Sequence, residues 1–286
     1  MMDYDGYLQK IRACNNYTAA DKVPFVIDGK RVGEVKERYI PYLLQSGLFV
    51  QQDGYVTFHE SAEGYDARTE GMMAFAEMAY RDGITDSFMN EPYAVRETPG
   101  SEPLCLADRS VATLLGLIAF GQHINGFVRT REGLKMWIGK RAYNRGYEPG
   151  KLDHIAAGGL PYGISLAENL VKECYEEAGI SEATARRAKA TGLVSYRYDY
   201  PRGSSRDIIY CYDLELPEDF QPVNTDGEVE AFYLMDIEEV VQIVRTGNDF
   251  KLNCNLVIID FLIRHGYLDP EAEGYFEIVS GLKGYK

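Results

Sequence analysis

The chain has 286 residues, enough for two ordinary domains, each with its own core. Its 44 Asp and Glu against 30 Lys and Arg leave a formal charge of −14, a field that repels phosphate backbones and anionic surfaces and argues against nucleic-acid or membrane partners. A hydrophobic fraction of 45% with 26% charged residues is ordinary globular composition and excludes disorder.

The longest apolar stretch, Leu114 to Phe120, is interrupted by Gly116 and falls far short of the roughly 20 residues a membrane-spanning helix needs. The start, Met1-Met2-Asp3-Tyr4-Asp5, is acidic where a secretory leader carries positive charge, so a cytoplasmic location is expected. Five cysteines (Cys14, Cys105, Cys174, Cys211, Cys254) are widely spaced and form no Cys-x-x-Cys pair, which reads as free buried thiols.

In chain order, Val23 to Ile27 and Tyr55 to Phe58 read as strands, and Thr69 to Arg81 as a helix with Met72, Phe75, Ala76 and Ala79 on its core face. The Pro- and Gly-containing run Arg96 to Pro103 reads as a linker, which places a boundary near residue 105. Leu117 to Thr130 and Leu134 to Lys140 form a predicted hairpin about Arg131-Glu132-Gly133. A basic, glycine-rich loop follows, with Lys140, Arg141, Arg145 and Lys151. Strands are predicted at Gly192 to Asp199, Ile208 to Leu216 and Val229 to Leu234, then helices at Ile237 to Arg245 and Leu252 to His265.

The chemistry is concentrated in Ala157 to Ile180. Ser165 with Glu168 three residues on fits a capping box that starts a helix, and Gly179 fits its left-handed C-terminal cap. Leu166, Leu170, Val171, Cys174 and Ala178 make the buried stripe. Glu173, Glu176 and Glu177 converge within one turn of the other side, beyond a loop with glycines at 158, 159 and 163. A solvated acidic face is the bland alternative. Like charges beside one another, and acids in a last turn facing the helix dipole, each cost a few tenths of a kcal/mol to about 1 kcal/mol, and a hard divalent cation removes both penalties.

These residues resemble a Nudix box, G-x5-E-x7-R-E-U-x-E-E-x-G-U with U a bulky apolar residue. Gly158, Glu173, Glu176, Glu177, Gly179 and Ile180 fall at matching positions, while Ile164 replaces the first glutamate and Lys172 the arginine. The form Ala157-Gly158-Gly159 … Gly163-Ile164-Ser165 with Lys172-Glu173 resembles the thiamine-pyrophosphokinase-related Nudix subgroup. Pro149 to Asp153, Gly227 to Glu230, Asn253-Cys254 and Phe261 to Gly266 look like its signatures, and Val32-Gly33 and Asn90 to Val95 resemble its accessory domain.

The resemblance implies an α+β protein: a Nudix α/β/α sandwich with a mixed sheet over residues 106–286, preceded by a smaller α+β domain over 1–105. It implies a hydrolase that uses Mg²⁺ or Mn²⁺ to cleave a small-molecule diphosphate, with thiamine diphosphate and its oxidised or damaged analogues as expected substrates. Gly158, Glu173, Glu176 and Glu177 are the expected metal-site residues and Glu228 the candidate base. Arg141, Arg145 and Lys151 are expected to clamp the diphosphate. Hydrolysis of another organic diphosphate, or a binding module without catalysis, remains open at this point.

Overall fold

The computed structural model of the chain describes residues 4–284. Its elements in order are α1 (Asp5–Cys14), β1 (Lys22–Ile27), β2 (Lys30–Lys36), α2 (Ile40–Gln45), β3 (Phe49–Gln52), β4 (Tyr55–Phe58), α3 (Gly64–Arg81), β5 (Pro92–Val95) and β6 (Cys105–Asp108). There follow β7 (Ile118–Arg129), β8 (Leu134–Arg141), β9 (Leu152–His154), β10 (Ala156–Gly159), α4 (Leu166–Ala178) and α5 (Glu182–Ala185). The chain then forms β11 (Lys189–Tyr200), β12 (Gly203–Glu215), β13 (Val229–Asp236), α6 (Ile237–Thr246), α7 (Cys254–Arg264) and α8 (Tyr275–Gly281).

The first unit is a four-stranded sheet in the order β2-β1-β4-β3, with the β5–β6 hairpin beside it. Phe25, Phe49, Phe58 and Phe75 pack at ring separations of 5.0 to 5.7 Å, each buried aromatic contributing about 1.5–3 kcal/mol. Met72, Phe75, Ala76 and Ala79 form the buried face of α3, as its spacing predicts.

The second unit is a seven-stranded mixed sheet in the order β11-β12-β7-β8-β13, with β10 on β7 and β9 on β8. β12 and β7 run parallel and the remaining pairs antiparallel. β7 and β8 pair only from Phe127 to Arg129 against Leu134 to Met136. Beyond that they diverge, and the short strands β10 and β9 line the two sides of the split. Leu170, Cys174 and Ala178 of α4 pack on one face with Ile124, Val128 and Tyr212, while α6 and α7 pack on the other with Phe127, Ile209 and Cys211.

Two sequence expectations need correction. The Arg96 to Pro103 run is the loop of the β5–β6 hairpin, where Val95 pairs with Cys105, and joins no domains. Hairpin loops and linkers use the same Pro and Gly chemistry, so composition could not separate them. The first core also runs past residue 105, through Val111, Leu114, Leu115 and Leu117. At the other end, α1 lies against the second unit: Tyr7, Ile11 and Cys14 share the core of α6, α7 and α8.

The units are locked together by a buried charge. Glu34 of β2 is 1% exposed and accepts hydrogen bonds from Arg197 of β11 at 2.7 Å, Ser204 of β12 at 2.6 Å and Tyr17 at 2.9 Å. Beside it Gly33 leaves no room for a side chain, because a Cβ there would stand 2.1 Å from the Leu115 carbonyl oxygen. All five cysteines are free and buried, as expected. No helix among the described residues is long and apolar enough to cross a membrane.

Candidate active site

The helix that carries the glutamates forms as its punctuation predicts. The Ser165 hydroxyl accepts from the Glu168 N–H, and the Glu168 carboxylate accepts from the Ser165 N–H at 3.0 Å. Such a box is worth about 1 kcal/mol. Gly179 closes the helix at φ 64°, in the left-handed region. Glu173 and Glu177 do not lie opposite the apolar stripe, where the sequence reading expects them, but beside it. With Leu170, Cys174 and Ala178 they fall at i, i+3, i+4, i+7 and i+8 of one face, at 9% and 8% exposure, and only Glu176 is left half-buried at its edge.

Each inward carboxylate meets β10. Glu177 Oε2 accepts the Ala157 N–H at 2.8 Å. Glu173 occupies the space a side chain at residue 158 would take, since a Cβ on Gly158 would lie 2.1 Å from Glu173 Cδ. The glycine is required by this close approach. Burial pushes Glu177 well above the usual carboxylate value, with the charges of Asp153 and Glu173 adding to it. Burial also raises Glu173, against the opposing charge of Lys172.

Lys172, which stands where the box pattern has arginine, bridges Glu173 at 3.1 Å and Glu176 at 2.9 Å. A single ammonium thus holds two of the three glutamates, the task a planar fork would otherwise perform. The donor set is all hard oxygen: two buried carboxylates of one sign, a half-buried third, and the backbone of a glycine strand. It fits a divalent ion such as Mg²⁺ or Mn²⁺.

The other expected site residues divide. Glu228 lies just before β13, near enough for its charge to raise both Glu173 and Glu177, and it pairs with Arg145 at 2.5 Å. Arg141 is engaged elsewhere: it donates to Asp153 at 2.9 Å and to the Tyr147 carbonyl at 3.1 Å, so it shapes the 142–151 loop. Lys151 donates to the Asn248 carbonyl and borders a cavity with Lys140, Tyr143 and Tyr233, without contact to the glutamates.

A second cluster was not foreseen. His123, Asp153, His154 and Cys254 are buried, with ligand-capable atoms within 4.8 Å of one another. His123 Nδ1 and His154 Nδ1 are 2.9 Å apart, and the Cys254 thiol donates to Asp153 at 2.8 Å. Burial lowers both imidazoles, so they are neutral, and it raises the Cys254 thiol well above its ordinary value. Asp153 already has Arg141 at 2.9 Å and Lys251 at 3.0 Å. Two cations on one carboxylate leave a dication no charge to neutralise, and the cluster reads as a hydrogen-bonded brace behind Glu177.

The first unit also reaches the site. A Cβ on Gly159 would lie 2.2 Å from the Tyr93 hydroxyl and 3.1 Å from the Arg109 guanidinium carbon. Neighbouring glycines of β10 therefore receive a catalytic-helix carboxylate on one face and an accessory-unit tyrosine and arginine on the other. Arg109 is held by Glu91 at 3.0 Å, and the Tyr162 N–H donates to the Pro92 carbonyl at 2.7 Å.

Comparison with known proteins agrees with this geometry. The model described as "NUDIX domain" matches residues 122–253, and one described as a domain of unknown function, DUF4743, matches 6–119. The chain is 41% identical to "Nudix hydrolase 20, chloroplastic" of Arabidopsis thaliana, over 98% of this chain and 78% of that one. This chain belongs to the Nudix hydrolase family. "Nudix hydrolase 24, chloroplastic" of the same plant is also 41% identical over the same shares, and the "Uncharacterized protein YJR142W" of Saccharomyces cerevisiae is 37% identical over 77% of this chain and 68% of that one. The likeness of this Nudix hydrolase to all three runs through both units.

Proposed function

We propose that this Nudix hydrolase cleaves thiamine diphosphate or its oxidised or damaged analogues, giving the monophosphate and inorganic phosphate. The reaction class rests on one observation: Glu173 against Gly158 and Glu177 on the Ala157 N–H are two buried like charges facing the split of a sheet. The substrate reading is supported by the subgroup signatures. Asp153 and Cys254 bond to each other, and Asn253 donates to the Tyr196 hydroxyl at 3.0 Å, which brings segments far apart in sequence to one side of the site.

In this reading Glu173, Glu176, Glu177 and the Gly158 backbone hold Mg²⁺ or Mn²⁺, which when bound polarises a phosphoryl oxygen and acidifies water. Lys172 keeps Glu173 and Glu176 together until the substrate enters. Glu228 accepts the proton of the attacking water, and its partner Arg145 fixes it at the rim, where the guanidinium also meets phosphate oxygen. Arg109 brings a further cation from the accessory unit to the same strand.

The test is a substrate panel assayed with Mg²⁺ and with chelator: thiamine diphosphate, its oxidised analogues, a nucleotide sugar and a dinucleotide. Chelator-sensitive release of thiamine monophosphate, with the highest kcat/KM in the set, is expected. Turnover confined to nucleotide substrates would overturn the thiamine reading.

A further inference from the structure

On the face of the sheet opposite α4, α7 covers the row Cys211–His123, the next row, Ile209–Gly121, is also buried, and the row beyond it, Asp207–Ala119, is half-buried. The floor there is built of small residues. Ala119 and Gly121 of β7 and Gly159 of β10 point the same way by strand alternation, and Gly121 and Gly159 are paired in register. Tyr93 and Arg109 lie over Gly159 and Ile209 lies against Gly121, which leaves the shallow concavity over Ala119, between these groups and Asp207.

One wall is aromatic and carries a carboxyl. Asp207 of β12 pairs in register with Ala119 on one side and Tyr196 on the other, so its half-buried side chain stands at the edge of the floor. Ser205 donates to it. Tyr196, Tyr198 and Tyr200 follow one another along the same face of β11, with the rings of Tyr198 and Tyr200 4.5 Å apart. Tyr147 closes the row, its ring 5.9 Å from Tyr200 and the two hydroxyls 3.2 Å apart. Arg141 holds the Tyr147 carbonyl, which gives that arginine a role other than gripping phosphate. The facing wall is Tyr93 and Arg109 over Gly159, and Glu173 lies against the neighbouring Gly158.

We infer that this concavity seats the organic end of the diphosphate substrate, and that it selects a planar nitrogen heterocycle whose N–H or amino group donates to Asp207 while the ring lies against Tyr147 and Tyr200. The inference rests on the diphosphatase reading and adds the chemistry of the part that is not phosphate. In its ionised form Asp207 accepts hydrogen bonds from a ring that carries donors, and the tyrosine faces favour a flat one. Burial raises Asp207 to about 7, against the Tyr196 hydrogen bond and the charges of Arg109 and Lys251, so near neutrality it accepts from a ring N–H as the carboxylate and donates to a ring nitrogen as the acid.

The test compares wild type with Asp207→Asn as full chains with Mg²⁺, on thiamine diphosphate and on a simple alkyl diphosphate. Calorimetric binding of thiamine monophosphate is measured in parallel. Asp207→Asn is expected to lower kcat/KM for the ring-bearing substrate at least tenfold more than for the alkyl one, chiefly through KM, and to weaken monophosphate binding to a similar degree. Equal losses on both substrates, or no loss of ring binding, overturn the inference. Should wild type hydrolyse neither diphosphate, the binding arm decides alone: monophosphate binding that depends on Asp207 supports the subsite while the diphosphatase reading falls, and absent binding overturns the subsite. Should Asp207→Asn not fold, Tyr147→Leu, at the exposed end of the wall, is read by the same criteria.

Discussion

Replacing Gly158 by alanine isolates the position of one carboxylate from every other property of the site. The backbone at Gly158 lies outside the left-handed region, so alanine meets no conformational penalty there. Its Cβ would stand 2.1 Å from Glu173 Cδ and 2.4 Å from both carboxylate oxygens. Ordinary contact begins near 3.4 Å, so the carboxylate has to retreat by more than about 1 Å. A misplacement of that size costs about 10²-fold in rate, or about 2.7 kcal/mol of transition-state stabilisation. The assay is kcat/KM at saturating Mg²⁺ beside a thermal melt, and kcat is expected to fall about a hundredfold with the melting temperature within a few degrees of wild type. Activity within twofold of wild type would refute the claim that Glu173 must sit against β10.

Three further outcomes are expected. Gly159→Ala, one residue along, pushes on Tyr93 and Arg109 instead, so it is expected to raise KM more than it lowers kcat in the same assay. Glu34→Ala leaves the half-buried Arg197 without its carboxylate and Ser204 and Tyr17 without their acceptor, and is expected to cost about 3 kcal/mol in urea unfolding. Asp213 is buried, which alone would raise it, but bonds from Arg264, His265 and Asn125 hold it below the usual carboxylate value. Its stabilisation is therefore complete above the unfolded value near about 4 and is lost as pH falls through the lowered folded value, so Asp213→Asn is expected to flatten the acid limb of melting temperature against pH.

Local signals were legible and non-local ones were not. The capping box, the glycine cap and the apolar residues of α4 act within a few residues and were legible, but Glu173 and Glu177 were expected opposite that apolar stripe and are buried beside it, where β10 receives them. The 118–129 strand, the second half of the 203–215 strand from residue 208, and the helices α6 and α7 were legible from period and length for the same reason, while the start of that strand and α8 were not. Arg141 and Lys151 show the limit: a basic loop announces cations, but Asp153 and the Asn248 carbonyl, distant in sequence, decide where they go. Tyr93 and Arg109 were missed because they belong to the other unit, although the paired glycines at 158 and 159 hint that both faces of that strand are closely approached. Asp207 is in phase with Ile209 and Cys211, but so are Ser205 and Asp213, and phase alone could not tell the acid that anchors a helix from the one that faces Tyr196. The docking of α1 on the last three helices joins residues some 240 positions apart, which no local pattern encodes.

Glu177→Gln is the most direct test of the central claim, that buried carboxylates on α4 hold the ion for diphosphate hydrolysis. Because burial raises Glu177, its charged form costs folding energy at neutral pH, a cost that appears as pH rises above the usual value of about 4.3. Melts without metal are therefore expected to show Glu177→Gln more stable than wild type at pH 7 and equal to it near pH 4. With Mg²⁺, wild type is expected to gain melting temperature and to turn over diphosphate, and the variant to gain little and to lose at least a thousandfold in kcat. A Glu177→Gln enzyme that keeps wild-type turnover at saturating Mg²⁺ would contradict the account.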